Sequence, residues 1–193
     1  MTAVPVPVSP ETGTDDGELL ARIATGDLES LGVFFERHEP VVRRCLGRLG
    51  ASRADADDLV QTTFLEVVRA ATRFDPNYPV RAWLLGITTL MVRRHRRSVR
   101  RHAARLSTWA GVLRREVAPT PAELFERDDA ARRMAAALER LSRKKREVFV
   151  LVTLEGLSGE EAAASLRIPV KTVWTRLHHA RLELRAALAE DTR

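Results

Sequence analysis

The sequence contains a single cysteine, Cys45, and only 5% of its residues are aromatic. One cysteine excludes an internal disulfide bond and most cysteine-based metal sites, and it is consistent with a reducing cytoplasm. No apolar stretch approaches the ~20 residues that a membrane-spanning helix requires. The start of the chain also lacks the basic and apolar regions of a signal peptide. We therefore expect a cytoplasmic protein without membrane insertion, in which Cys45 is a small core residue.

The sequence also lacks the patterns that mark catalytic centres. It contains neither a nucleophile–base pair nor a phosphate-binding glycine loop. Asp55, Asp57 and Asp58 are close together, but carboxylates at a helix start are far more often capping groups than metal ligands, and no partner histidine lies nearby. We expect no enzyme, no catalytic residue, no metal ion and no cofactor. A metal-dependent nuclease that uses these carboxylates is the weakest alternative.

What the chain does have is positive charge and helical periodicity. Its 32 Lys and Arg residues exceed its 26 Asp and Glu residues, and the formal net charge of +6 favours an anionic partner. Few segments alternate as strands do. The predicted fold class is all-α, with two small helical domains joined by a flexible linker. The expected divisions are a disordered tail at 1–16, an N-terminal domain at 17–102, a linker at 103–128 and a C-terminal domain at 129–193.

The most informative stretch runs from residue 74 to residue 105. Pro76 and Pro79 hold the backbone out of a helix, so we predict a loop between two helices, and this loop carries the only tyrosine, Tyr78. The next helix has an apolar face that begins at Trp83 and continues into a basic strip without one acidic residue. Because such a strip suits phosphate groups, we favour nucleic-acid binding over a solvated basic face. The strip comprises Arg93, Arg94, Arg96, Arg97, Arg100, Arg101 and Arg105.

The helix before this loop begins in an acidic segment at 52–58, which suits the positive end of a helix dipole. Val60, Phe64 and Val67 recur on its buried side. From the residues alone, we interpret the opposite side as an ordinary polar face. That side exposes Asp57, Asp58, Gln61, Thr62 and Leu65 to solvent.

A proline-containing linker follows the arginine strip. It includes Pro119 and Pro121, with room for one short helix near residues 109–113 and another helix start at 120–123. Beyond the linker we expect helices at 130–141 and 147–155, on either side of a basic tetrad at 143–146.

A second informative pattern lies near the end of the chain. Ser158 and Glu161 predict a capping box at the start of a short helix, which breaks at residues 167–169 before a longer final helix. This arrangement predicts a helix-turn-helix. The predicted buried stripe of the final helix comprises Val173, Leu177, Ala180, Leu184 and Leu188. The outward side of the final helix is nearly all hydrogen-bond donors and cations, which favours DNA binding over a plain helical hairpin. It carries Lys171, Trp174, Thr175, Arg176, His178, His179 and Arg181.

Several segments together resemble one protein family. They are residues 55–64 (DADDLVQTTF), 74–76 (FDP), 81–84 (RAWL), 138–146 (LERLSRKKR), 155–158 (EGLS) and 172–177 (TVWTRL). In this order and spacing they are similar to the extracytoplasmic-function (ECF) subgroup of bacterial sigma-70 factors. The resemblance spans residues 16–188.

The resemblance implies a protein that binds core RNA polymerase and directs it to promoter DNA. The face of Asp57, Asp58, Gln61, Thr62 and Leu65 would dock on the clamp helices of the largest polymerase subunit. The final helix would enter the major groove at the minus-thirty-five element, with Arg176 and Arg181 mainly on phosphates. The loop and basic strip would hold the minus-ten element, with Asn77 on a base edge and Tyr78 stacked on an unpaired base. The residues assigned to the minus-ten element are Asp75, Asn77, Tyr78, Arg93, Arg96 and Arg97.

The resemblance also implies an anti-sigma factor as a partner. We expect the free protein to bind DNA weakly, with its basic surfaces covered by domain packing or by that partner. The sequence departs from the family at Trp174 and His179, where lysine or arginine is common, and the turn at 166–169 lacks the common glycine. Leu90 and Arg94 also differ from frequent choices in the minus-ten region.

The main alternative is a free-standing helix-turn-helix repressor or activator. Such a protein would dimerise and bind palindromic duplex DNA without polymerase. This interpretation leaves the first hundred residues without a role.

Overall fold

A computed structural model describes residues 15–109 and 129–190, and every regular element in these ranges is helical, so the all-α prediction is confirmed. The N-terminal domain contains α1 (Asp16–Ala24), α2 (Leu28–Arg48), α3 (Arg53–Ala70) with a 3-10 turn (Ala71–Arg73), and α4 (Val80–Trp109). The C-terminal domain contains α5 (Asp129–Arg140), α6 (Arg143–Phe149) with a π-helical turn (Val150–Leu154), α7 (Gly159–Leu166) and α8 (Val170–Glu190). No helix in the described ranges is long and apolar enough to cross a membrane.

Glycines and caps set the helix boundaries of the N-terminal domain. Gly26 and Gly50 adopt positive φ angles of 92° and 84°, which glycine tolerates because it has no Cβ, and they follow α1 and α2. Asp27 caps α2 by accepting hydrogen bonds from the backbone N–H groups of Glu29 and Ser30. The hydrogen bonds from Ser30 lower the pKa of Asp27.

The four helices of this domain share one core. The apolar stripes around Phe34 and Cys45 belong to the single helix α2, which runs through Pro40. Both residues are fully buried, and burial raises the pKa of the Cys45 thiol, so the predicted core role of this cysteine is confirmed. Each fully buried leucine or phenylalanine side chain stabilises the fold by about 1.5–3 kcal/mol, and this burial holds the helices in place.

The helix-turn-helix prediction is confirmed in α7 and α8. Ser158 Oγ accepts the Glu161 N–H at 3.1 Å, and the Glu161 carboxylate accepts the Ser158 N–H at 2.7 Å, so the capping box is present. Arg167 ends α7 in the left-handed conformation, with φ 54° and ψ 53°. The predicted buried stripe of α8 is also found, with Leu188 only partly buried; its fully buried members are Val173, Leu177, Ala180 and Leu184.

The helix expected at 147–155 is wrong in its boundaries. The basic tetrad forms the first turn of α6, and regular α-helix ends at Phe149. The chain then widens into the π-helical turn, after which the Glu155 N–H donates to the Val150 carbonyl at 2.9 Å. The wider turn breaks the α-helical register before Glu155.

One member of the tetrad, Arg146, lies inside the protein. It is 8% exposed, and its Nε donates to the Leu138 carbonyl at 2.6 Å. Burial, together with the nearby Arg96 guanidinium, lowers the pKa of Arg146 to about 10. Burial also raises the pKa of the neighbouring Glu139. Arg146, which the sequence shows only as a member of a basic tetrad, is therefore a structural part of the domain.

The two domains pack against one another along α4 and α7. A Cβ at Gly86 of α4 would lie 3.2 Å from the Cβ of Ser165 on α7, so these small residues permit a close approach. Ser165 Oγ also donates to the Ala82 carbonyl at 2.9 Å. This contact bears on the candidate site, because α4 carries the predicted minus-ten arginines Arg93, Arg96 and Arg97.

Some predictions concern residues outside the described ranges. These are most of the tail at 1–16 and the linker helices near 109–113 and 120–123. At the boundaries, α1 already begins at Asp16, whose carboxylate contacts Arg37 at 2.5 Å and His38 at 2.9 Å. At its other end the N-terminal domain continues helically to Trp109, beyond the expected limit at residue 102.

Glycine at position 167 is expected to relieve strain at the end of α7. An L-residue with a Cβ is destabilised by about 1 kcal/mol in the left-handed conformation, whereas glycine is not. The free energy of unfolding of the Arg167→Gly variant should therefore be about 1 kcal/mol higher than that of the Arg167→Ala variant. Both variants lack the arginine side chain, and only the alanine variant keeps the backbone strain. Urea unfolding followed by circular dichroism measures the difference. Equal stabilities would contradict the conformation at this position.

Candidate functional site

An open apolar groove of about 770 Å³ lies between α2 and α3. Leu28 and Leu65 on its sides are 76% and 51% exposed. In its floor Phe35 packs on Phe64, with ring centroids 4.6 Å apart. Exposed apolar surface of this kind is unfavourable in water and is typical of interaction sites.

The predicted polar side of α3 forms the rim of this groove. All five of its residues are exposed, and Asp57, Asp58, Gln61 and Leu65 line the groove. Arg43 of α2 donates to Asp57 at 2.7 Å, and this hydrogen bond raises the pKa of Arg43. An apolar floor beside an acidic rim fits an amphipathic helix with basic residues along one edge.

Sequence reasoning missed the α2 side of the groove. The available signal was the adjacent pair Phe34 and Phe35, because neighbouring residues on a helix point about 100° apart and two large rings can therefore serve two surfaces. Phe34 is fully buried, whereas Phe35 is 38% exposed and faces the groove.

The acidic start of α3 is a capping site. Ser52 Oγ accepts the Asp55 N–H at 3.1 Å and donates to the Asp55 carboxylate at 2.5 Å. His95 Nε2 of α4 lies 3.3 Å from the same carboxylate, so the expectation that no histidine is near was wrong, because α4 folds back across this end of α3. Within the described residues, no cluster of three or more His, Cys, Asp or Glu side chains could hold a metal ion.

The loop between α3 and α4 divides its predicted residues between solvent and protein. Asp75 Oδ1 accepts hydrogen bonds from the Asn77 N–H at 2.9 Å and from Asn77 Nδ2 at 3.2 Å, and both residues are exposed. Tyr78 turns the other way. Its hydroxyl donates to the Glu161 carbonyl at 3.0 Å and lies 3.2 Å from Ser165 Oγ, so α7 holds the predicted stacking residue.

The predicted arginines of α4 are divided in the same way. Arg93 donates twice to Glu147, at 2.9 Å and 2.6 Å, and these hydrogen bonds raise the pKa of Arg93. Arg96 donates to the carbonyls of residues 49 and 50 at 2.6 Å and 2.9 Å, and burial lowers its pKa. Arg97 is exposed. Half of the predicted minus-ten set, namely Tyr78, Arg93 and Arg96, is therefore held by hydrogen bonds to other elements of the protein.

Glu155 is the central contact between the domains. Its side chain is only 2% exposed, and its two oxygens accept hydrogen bonds from Arg48 at 2.8 Å and Arg81 at 2.9 Å. A buried carboxylate is tolerated only when charged hydrogen bonds replace its water. Sequence reasoning missed this role because the partners lie on α2 and at the start of α4, far away in the chain.

The outward side of α8 agrees with the prediction. Arg176 is half-buried, and the other predicted residues are exposed. Thr175 Oγ1 donates to the Lys171 carbonyl at 3.0 Å, which orients its methyl and hydroxyl groups. Trp174 is 51% exposed and packs on Gly159 at the start of α7. The helix thus presents cations, imidazoles and one indole on a single surface.

Two helical domains with a C-terminal helix-turn-helix define the class of DNA-binding proteins. Comparison with known families identifies it further. Residues 34–102 match the family described as sigma-70 region 2, and residues 131–184 match sigma-70, region 4. The chain belongs to the ECF subfamily of sigma-70 RNA polymerase sigma factors.

Individual relatives agree with this assignment. The RNA polymerase sigma factor CnrH of Cupriavidus metallidurans is 34% identical over 189 residues, covering 92% of this chain and 96% of CnrH. CarQ of Myxococcus xanthus is 33% identical over 175 residues, covering 89% of this chain and 96% of CarQ. The sequence-based prediction of an ECF sigma factor in transcription initiation is confirmed.

Solved structures of relatives have the same fold. CnrH in complex with the cytosolic domain of CnrY is 32% identical with a TM-score of 0.65, covering 91% of this chain and 98% of that chain. The sigma factor RpoE in complex with the anti-sigma factor NepR from Bartonella quintana is 28% identical with a TM-score of 0.61, covering 78% and 91%.

Loss of the two interdomain carboxylates is expected to loosen the domain contact. The double variant Glu147→Gln, Glu155→Gln removes both charges and retains side-chain size. A charged hydrogen bond contributes about 1.5 kcal/mol or more, so the population of separated domains should rise at least tenfold. Small-angle X-ray scattering of the full chain should record a larger radius of gyration.

The matched control is Glu183→Gln, which removes an ion pair with Lys145 inside the C-terminal domain. Its radius of gyration should equal that of the unmodified protein. If the double variant also has the radius of gyration of the unmodified protein, the two carboxylates do not hold the domains together.

Proposed function

We propose that this sigma factor binds core RNA polymerase through the groove between α2 and α3. The observation that carries the proposal is the location of the α3 residues Asp57, Asp58, Gln61 and Leu65 on the rim of an apolar groove. The clamp helices of the largest polymerase subunit would supply the amphipathic helix that this surface fits. Thr62, exposed on the same helix, would extend the contact.

We also propose that the loop and α4 hold the minus-ten element after the strands separate. Asn77 is exposed, and its carboxamide can pair with a base edge. Tyr78 would stack on an unpaired base, a contact worth about 1–3 kcal/mol. Arg93, Arg96 and Arg97 would hold phosphates. Because Tyr78 and Arg93 have partners in the C-terminal domain, their role requires the domains to separate first. Arg96 is held within its own domain and would have to leave the carbonyls of residues 49 and 50.

The exposed side of α8 would bind the minus-thirty-five element. Arg176 and Arg181 would mainly contact phosphates, and Lys171 would add to the DNA-binding surface. The residues that would face base edges or a thymine methyl group are Trp174, Thr175, His178 and His179. The cationic character of this surface supports the assignment. In this role the protein acts in the cytoplasm by binding and positioning, without catalysing a reaction itself.

Domain packing would regulate this activity. In the packed arrangement the core-binding groove is open, while the loop tyrosine is held by α7. Polymerase could thus bind the groove first. The loop would then reach the minus-ten element after the domains separate. An anti-sigma factor, as bound by the relative RpoE, would oppose this step by binding the closed protein.

Charge reversal on the groove rim should abolish polymerase capture. Asp58→Lys and Gln61→Ala together change the acidic rim and remove a polar contact, and we expect at least a tenfold loss of affinity, about 1.4 kcal/mol. Pull-down of purified core polymerase measures it, followed by run-off transcription from a fragmented genomic library. The control Glu18→Lys reverses an exposed charge on α1, away from the groove.

The proposal is supported if the Glu18→Lys control captures core polymerase and the groove-rim double variant does not. Equal capture by both would exclude the groove as the polymerase site. No capture by the unmodified protein, with tight binding to palindromic duplex DNA, would instead establish the repressor alternative.

Two changes at Tyr78 separate its contact with α7 from base stacking. Tyr78→Phe removes the hydroxyl that α7 holds and keeps the ring, so holoenzyme should open promoters as well as the unmodified protein does. Tyr78→Ala removes the ring, and opening should fall about tenfold, from the loss of one stacking contact. Permanganate reactivity of unpaired thymines in the minus-ten element measures opening. Equal defects in both variants would show that the hydroxyl, and not the ring, carries the function.

A further inference from the structure

The first residue of α7 lies directly beneath the Trp174 indole of α8. Gly159 is buried although it begins a helix at the protein surface. A Cβ at this position would lie 2.5 Å from Trp174 Cζ2 and 2.9 Å from Cε2. Carbon atoms in favourable contact are about 3.5–4.0 Å apart. The indole therefore occupies the space that any side chain at position 159 would need.

Both sides of this contact are fixed by the fold. The capping box of Ser158 and Glu161 ties down the backbone on either side of Gly159. Val173 and Leu177, on the buried side of α8, are 0% and 1% exposed and hold the helix that carries Trp174. If position 159 gained a side chain, the indole would have to rotate, because neither backbone can easily move.

The rest of the indole points to solvent. Trp174 is 51% exposed and lies on the same outward side of α8 as Thr175 and His178. An indole has one N–H donor and no acceptor, so most of its exposed surface is apolar. In the major groove the apolar feature of a base pair is the methyl group of thymine.

We propose that Trp174 is a specificity-determining residue that contacts a thymine methyl group in the minus-thirty-five element, and that Gly159 is the residue that positions its indole. This inference rests on the proposed role of α8 in binding that element. A tryptophan that is free to change rotamer would contact several neighbouring bases poorly. Gly159 leaves the space that one orientation of the indole needs, and in that orientation the indole would contact one base position.

The test replaces thymines of the minus-thirty-five element, one at a time, by deoxyuridine, which lacks only the methyl group. Holoenzyme formed with the unmodified protein should lose about three- to fivefold in promoter binding at one of these positions, the effect of one buried methyl group. Holoenzyme with Trp174→Ala should bind thymine and deoxyuridine templates equally. Gly159→Ala should also remove the difference, because the displaced indole no longer meets the methyl group.

Two further variants separate positioning from general damage. Glu160→Gln changes an exposed residue in the same turn and should keep the full preference for thymine. In a Trp174→Ala background, Gly159→Ala should have no further effect on the ratio of thymine to deoxyuridine binding. Thermal melting of each variant verifies the fold, and the ratio is unaffected by the active fraction of the protein.

Each outcome has a distinct meaning. Failure of the unmodified protein to bind polymerase and transcribe specifically would overturn the proposed function itself. Specific transcription without a methyl effect at any thymine, or a methyl effect that persists in Trp174→Ala, would overturn the role of Trp174 alone. A full thymine preference in Gly159→Ala would overturn the positioning role of the glycine.

Discussion

The arrangement of the two domains depends on one buried carboxylate. Glu155 is almost completely removed from water and is satisfied by Arg48 and Arg81, which lie on different helices of the other domain. Removing a carboxylate from water costs several kcal/mol unless charged donors replace the lost hydration. The closed arrangement supplies those donors. Separated domains would supply water instead, so the balance between the two states is set by how well two arginines substitute for solvent.

Other charges act against the closed state. Arg96 and Arg146 come from different domains, and their mutual repulsion contributes to the lowered pKa of Arg146. Glu147, which accepts hydrogen bonds from Arg93, stabilises the charge of Arg96. Favourable and unfavourable ion contacts therefore lie side by side in one interface. Such an interface is compatible with the domain separation that the proposed function requires.

The parts of this structure that the sequence predicted are those determined locally. The capping box at Ser158, the break after Arg167 and the apolar stripe of α8 each depend on residues within a few turns of one another. The groove, the burial of Arg146 and the pairing of Glu155 depend on helices that are distant in the chain. Periodicity shows which face of a helix is apolar, but it does not show which other helix covers that face or leaves it open.

The contact of Trp174 with Gly159 belongs to this second group and explains a departure that the sequence alone left without a cause. The lysine or arginine that the family resemblance leads us to expect at this position is flexible, can extend into solvent and requires no space at the helix surface. An indole is bulky and rigid, and at this position it needs a neighbour without a side chain. The substitution of a cation by tryptophan is therefore compatible with the fold because position 159, on the preceding helix, is glycine. On the proposed DNA-binding surface of α8, the orientation of Trp174 depends in this way on a residue of the preceding helix.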